Sequence, residues 1–223
     1  MTDIKEIKAI IFDLDGVLLT TDKYHYIAWK QLADELGIAF CEKDNEAFRG
    51  VSRMDCMEIL LSKKIGASYT DEEKLMYADQ KNKKYIELLN ELEPSTVDVE
   101  VRNTLMALRG NGYRLAVGSS SKNAKYILEK VGLTQMFDAI IGGDDITRSK
   151  PDPEVFLKAA SAVNVLPCQS AVVEDAEAGL QAAVGGGMLP IAMGAAKGAP
   201  LARISLETFG DLEKIFLGNK EKQ

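Results

Sequence analysis

The run Ala9-Ile10-Ile11-Phe12 is apolar without alternation and stops abruptly at Asp13-Leu14-Asp15-Gly16. A strand that carries apolar side chains on both faces must be covered on both faces, as strands of a parallel sheet are. Four similar runs follow: Arg114-Leu115-Ala116-Val117-Gly118, Ala139-Ile140-Ile141-Gly142, Ala171-Val172-Val173-Glu174 and Leu189-Pro190-Ile191-Ala192. Between them lie helical patterns at about 122–131, closed by Gly132, at about 153–164, opened by Asp152 and Pro153, and at about 176–184. This alternation predicts an α/β fold, a doubly wound parallel sheet with a Rossmann-like core.

The stretch from about 22 to 92 contains no strand run. Ile27, Leu32 and Leu36 form a helical stripe ended by Gly37, and Thr70-x-x-Glu73 is a capping box opening a long helix that holds Leu75, Ile86 and Leu89. The expected organisation is a core of residues 1–19 and 94–223 with a helical insert of residues 20–93.

Charge and cysteine content narrow the function. The 223 residues carry 27 Lys and Arg against 34 Asp and Glu, a net charge of -7, which argues against a general nucleic-acid or anionic-membrane binder. Cys41, Cys56 and Cys168 cannot all pair, and no spacing among them resembles a metal or redox motif. With no apolar stretch near the ~18 residues of a membrane helix and mixed charges at the N-terminus, a cytoplasmic location is expected.

In an open parallel sheet, ligands bind at the carboxyl ends of the strands. Those ends carry Asp13 and Asp15, then Ser119-Ser120-Ser121-Lys122, then Gly142-Gly143-Asp144-Asp145 leading to Lys150, then Glu174-Asp175. Carboxylates beside lysines and hydroxyls suit Mg²⁺ together with a phosphate, because Mg²⁺ takes a few carboxylates and completes its shell with water and phosphate oxygens. Asp13 and Asp15, two apart, project alike from extended backbone and can face one substrate. The glycine triplet at 185–187 follows a helix instead of opening one, so no dinucleotide site is expected there.

In order, Asp13-Leu14-Asp15-Gly16-Val17, Ser119, Lys150-Pro151-Asp152-Pro153 and Glu174-Asp175-Ala176-Glu177-Ala178-Gly179 resemble the four motifs of the haloacid dehalogenase superfamily, across nearly the whole chain. The helical insert lies where that superfamily places a cap domain. Narrower matches, Tyr24-His25 with Ala28-Trp29-Lys30, Arg49-Gly50-Val51-Ser52-Arg53, Lys81-Asn82 and Ser121-Lys122-Asn123, look like its bacterial β-phosphoglucomutase branch. Gly142-Gly143-Asp144-Asp145 is closer to the general phosphatase branch.

The resemblance implies phosphoryl transfer through an aspartyl phosphate on Asp13, with Asp15 as general acid and base. It implies Mg²⁺ held by Asp13, the Asp15 carbonyl, Glu174 and Asp175, and phosphoryl oxygens held by Ser119 and Lys150. Arg53, Ser121, Lys122 and Asn123 match the residues that hold a second phosphate, with Gly50 in the substrate-binding loop where it lets the backbone turn before Arg53, while His25, Trp29 and Lys81 belong to the cap side. The expected partner is a small sugar phosphate, with no nucleic acid and no membrane, and a monomeric chain. The activity the resemblance implies first is an isomerase interconverting β-glucose 1-phosphate and glucose 6-phosphate, with a sugar-phosphate phosphatase as the alternative.

Overall fold

The computed structural model describes residues 4–48 and 51–218. The chain divides into two compact units, one running through Thr20 and resuming at Leu92, the other spanning Thr21–Glu91.

The discontinuous unit is built on β1 (Ala9–Phe12), β2 (Arg114–Gly118), β3 (Ala139–Ile141), β4 (Ser170–Glu174), β5 (Leu189–Ala192) and β6 (Ile204–Ser205). Every pairing is parallel, in the order β3-β2-β1-β4-β5-β6. The doubly wound sheet read from the apolar runs is therefore present. Successive connections leave β1 on either side, which makes β1 and β4 the place where the strand order reverses. The ladder pairs Phe12 with Val173 there, so the residues just past both strands are neighbours.

Helices α5 (Val99–Gly110), α6 (Ala124–Lys130), α7 (Glu154–Ala162), α8 (Glu177–Gly185) and α9 (Asp211–Leu217) accompany the sheet. One core layer packs Ile11, Ala116 and Val172 of the sheet against Val155, Phe156, Ala159 and Ala183 of α7 and α8. Full burial of an aliphatic or aromatic side chain of this kind contributes about 1.5–3 kcal/mol. Phe12 stacks on Phe209 at 5.6 Å and meets Phe137 edge-on at 6.2 Å. The three helices read between the strands start one or two residues later than the sequence pattern predicts, at Ala124, Glu154 and Glu177. Pro153 caps α7 from outside, and Asp152 Oδ1 accepts the Glu154 amide at 3.0 Å.

The continuous unit is helical: α1 (Asp22–Glu35), α2 (Glu42–Glu46), α3 (Arg53–Ser62) and α4 (Asp71–Leu89). The capping box forms as expected, Glu73 N donating to Thr70 Oγ1 at 3.2 Å and Thr70 N to Glu73 Oε2 at 2.8 Å. Its core gathers Trp29, Leu32, Phe40, Phe48, Met57 and Leu60. Of the stripe read on α1, Leu32 is buried and Leu36 packs against this core while Ile27 faces solvent, and Ala28, Trp29 and Ala33 also fill the interior; on α4, Leu89 is buried and Leu75 exposed. Neighbouring aromatic rings decide the buried face here, and spacing alone does not record them. The cysteines are unpaired thiols, Cys41 and Cys168 exposed and Cys56 buried. Among the described residues no helix is long and apolar enough to cross a membrane.

Candidate active site

Asp13 lies one residue past β1 and stays in register, its amide donating to Val173 O at 3.0 Å. That brings it beside Glu174, the last residue of β4. Lys150, on the loop between β3 and α7, bridges the two: its Nζ donates to Asp13 Oδ1 and to Glu174 Oε1, both at 2.5 Å. All three are buried. Burial alone would drive the ammonium toward neutrality, but the charges of Asp13 and Glu174 overturn this and hold Lys150 protonated above its ordinary range.

One lysine serves three carboxylates, because a third joins them. Ligand oxygens of Asp13, Glu174 and Asp175 lie within 4.8 Å of one another. Burial first, then the charges of Asp13, Glu174 and Asp15, push the Asp175 carboxyl up to about 8. Burial likewise raises Glu174, to about 6, against the pull of Lys150. Hard oxygen donors crowded to the point of mutual repulsion are the chemistry a divalent cation such as Mg²⁺ fits. Lys150 engages Oδ1 of Asp13, and Oδ2 accepts no hydrogen bond from the described residues.

Two glycines make the carboxylates' space. A methyl on Gly179, in the first turn of α8, would overlap the Glu174 carboxylate, and one on Gly16 would overlap that of Asp175. Gly16 also adopts φ +86°, where the chain turns after Asp15 so that its amide reaches Leu19 O at 2.8 Å. A structural role for Gly179 was not legible from sequence, because the residue it clears lies five positions earlier across a strand-to-helix turn.

At the end of β2, Ser119 is buried, and its Oγ accepts the Ser121 amide at 3.1 Å. Ser121 Oγ in turn accepts the Asn123 amide at 3.2 Å, so the loop is preset by its own hydroxyls. Gly143 donates its amide to Ser121 O at 2.9 Å, and a side chain there would strike Ser120 O. Lys122 pairs with Asp144 at 3.2 Å in an exposed contact.

The helical unit assembles its own cluster. Lys81 is buried, with Nζ 4.6 Å from the Trp29 ring centroid and 4.7 Å from that of Tyr85. It donates to His25 Nδ1 at 2.8 Å. An ammonium only donates, so Nδ1 is the acceptor and the ring proton sits on Nε2. Tyr85 stacks on His25 at 4.0 Å and shares a 2.7 Å hydrogen bond with Thr21 Oγ1. Arg53 Nη2 donates to Asn82 Oδ1 at 2.9 Å. Gly50 and Arg49 lie outside the described residues. Tyr85 escaped the sequence reading: four positions after Lys81 it shares that residue's helix face, but a tyrosine in a helix reads as core.

Burial first, then the Lys81 and Arg53 charges, hold His25 well below 6.5. Since the unfolded chain binds the proton more readily, this group's contribution to stability is complete above pH 6.5 and falls as the pH drops below it, by up to about 1.4 kcal/mol per unit. His25 is the only histidine, so its imidazole resonances are unambiguous. They are expected to report a neutral ring protonated at Nε2 with a midpoint well below 6.5, and a midpoint near 6.5 would contradict the arrangement described.

A broad cleft of about 830 Å³ lies at the amino ends of the strands, lined by Lys8, Tyr113, Arg114 and Asn164 among others. The carboxylates occupy the opposite end, where open parallel sheets bind their ligands.

Known proteins resemble the chain over most of its length. Over 195 residues, 87% of this chain and 85% of the other, the sequence is 37% identical to the β-phosphoglucomutase of Bacillus subtilis (strain 168). It is 28% identical to a phosphorylated carbohydrates phosphatase of Thermotoga maritima, covering 81% of this chain and 82% of that one. A crystal structure of β-phosphoglucomutase from Clostridium difficile superposes with a TM-score of 0.87 at 33% identity, covering 95% of each chain. Residues 7–187 match the family pattern of the haloacid dehalogenase-like hydrolases, a span that begins before β1 and ends after α8 and so contains every carboxylate described above. With aspartate, lysine and paired acids at the reversal point of the sheet, the chain belongs to that family, as a phosphotransferase or phosphatase.

Proposed function

We propose that the chain is a Mg²⁺-dependent β-phosphoglucomutase, interconverting β-glucose 1-phosphate and glucose 6-phosphate, with residues 20–93 acting as its cap domain. The observation that carries the mutase reading is Arg53, a guanidinium braced by Asn82 in a unit that also holds the Lys81–His25 pair. A planar fork suits a phosphate that must be gripped while another one reacts. Similarity to two β-phosphoglucomutases, at 37% and 33% identity, supports the same substrate.

In this reading Asp13 Oδ2 attacks phosphorus, the bond to the sugar oxygen breaks, and Asp15 gives that oxygen a proton. In the other direction a sugar hydroxyl returns its proton to Asp15 as it takes the phosphoryl group from Asp13. Phosphorylated Asp13 thus converts β-glucose 1-phosphate to the 1,6-bisphosphate, and after the sugar turns over Asp13 recovers the phosphoryl group from C1. Lys150 and the Ser119 loop neutralise the spread charge of the transferring oxygens. Asp13, Glu174, Asp175 and the Asp15 carbonyl would hold Mg²⁺, which when bound offsets phosphate charge and the mutual repulsion of the acids. Ser121, Lys122 and Asn123 join Arg53 on the second phosphate, with Gly50 in the loop before it, and Trp29 lines the sugar.

One observation favours a phosphatase of small sugar phosphates instead: Lys122 is already paired with Asp144. The two readings part in a product assay with β-glucose 1-phosphate and a trace of its 1,6-bisphosphate, scoring glucose 6-phosphate against free phosphate. A mutase yields mainly the former. Arg53→Ala is expected to lower isomerisation about 100-fold, the scale of one charge-assisted contact, while sparing phosphorylation of Asp13 by acetyl phosphate. An equal small effect on both activities would assign the enzyme to the hydrolases.

A further inference from the structure

We propose that Glu154 is a positioning residue for Lys150, holding the loop that delivers the lysine between Asp13 and Glu174. Glu154 opens α7, four residues after Lys150, and its carboxylate turns back over the preceding loop. Oε2 accepts the Arg148 amide at 2.8 Å and the Thr147 hydroxyl at 2.9 Å, and both oxygens lie 3.1 Å from the Thr147 amide. Lys158, one helical turn on, donates to Oε1 at 2.6 Å and also to Asp145 O at 2.7 Å. The side chain is only 11% exposed.

Asp152 closes the same loop from the other side. Its Oδ1 accepts the Glu154 amide at 3.0 Å, its Oδ2 pairs with Arg148 Nη1 at 3.1 Å, and its own amide reaches Ser149 O at 3.0 Å. Residues 147–149 are thereby tied at several main-chain points to the first turn of α7, and α7 is anchored in the sheet core through Val155 and Phe156. Lys150 leaves this clasp with its Nζ already aimed, 4.6 Å from the Phe156 ring centroid. A flexible four-carbon stem gains a fixed head group only if its main chain is fixed. The bonds to Lys158, Thr147 and Arg148 keep the Glu154 carboxyl ionised down to about 2, so the clasp persists across the working pH range.

The importance of this clasp for turnover rests on Lys150 holding the transferring phosphoryl group, so the test includes a readout that does not need that reading. Trace acetylation followed by mass spectrometry compares Lys150 with the exposed reference lysines Lys83 and Lys214 in the wild type and in Glu154→Gln. Lys150 is expected to be protected in the wild type and about tenfold more reactive in the variant, the scale of one lost charge-assisted hydrogen bond, with the reference lysines unchanged. Lys158→Gln, which leaves the main-chain contacts of Glu154 in place, is expected to keep Lys150 protected. Phosphorylation of Asp13 by acetyl phosphate is expected to slow by a similar factor in Glu154→Gln. If that variant does not fold, Glu154→Asp, too short to reach the same amides, is read in the same way. Unchanged protection of Lys150 in either folded variant overturns the proposal. Absence of Asp13 phosphorylation in the wild type instead removes the proposed function, while the labelling ratio still decides what Glu154 does.

Discussion

Asp13→Asn is expected to leave a folded protein whose turnover has dropped on the order of 10⁴-fold or more, the scale seen when a covalent nucleophile is removed. The replacement keeps the shape of the side chain, and an amide oxygen can still accept from Lys150. Lys150 also keeps its second partner, Glu174, so no buried ammonium is abandoned. What is lost is the anionic oxygen that attacks phosphorus and one of the three clustered carboxylates. Steady-state rates, circular dichroism and mass spectrometry for phosphorylated Asp13 check the three parts separately. Normal turnover by the folded variant would end the covalent mechanism.

Gly179→Ala is the second large effect, and it acts without replacing any titratable group. The added methyl overlaps the carboxylate of Glu174, a side chain that is fully enclosed and tied by Lys150 at one oxygen and by the Asp175 and Ala176 amides at the other, both at 3.0 Å. With no room to retreat, Glu174 must leave Lys150 or α8 must shift. Overpacking of this kind costs about 1–3 kcal/mol of stability. The expected result is a thermal midpoint lowered by several degrees and phosphoryl transfer reduced about 100-fold, in line with misplacement of a site by about 1 Å. Retained activity with unchanged Mg²⁺ dependence would show that Glu174 has more freedom than the packing allows.

Strands β1 to β5 were legible because a sheet covered on both faces needs continuous apolar runs, and the chemistry stands where those runs stop. Even Leu189-Pro190-Ile191-Ala192 reads correctly, although proline in a central strand is unfavourable; Pro190 still offers its carbonyl, which accepts the Arg203 amide at 2.9 Å. The two-residue strand Ile204–Ser205 carries too little pattern to be seen. Asp13, Lys150 and Glu174 could be named in advance because strand ends select them. Glu154 and Tyr85 could not, and Gly179 could be placed in a motif without its packing role, because each acts on a partner that only the folded chain brings near. The width of the buried face of α1 is a similar case: Trp29 joins Leu32 inside, where Phe48 meets its ring edge-on at 5.3 Å.

The division of the chain also sets an order of events during synthesis. The helical unit is one unbroken segment, Thr21–Glu91, whose internal partners have all emerged once that segment is complete. Its host is not: β1 leaves the ribosome first but has no neighbour until β2, some hundred residues later, and Lys150 follows Asp13 by 137 residues. Domains made early fold early, so the inserted helices close while the strand that precedes them still waits for partners. Asp13 is thus made long before Lys150 and Glu174, so its burial beside its compensating cation must wait until both have emerged.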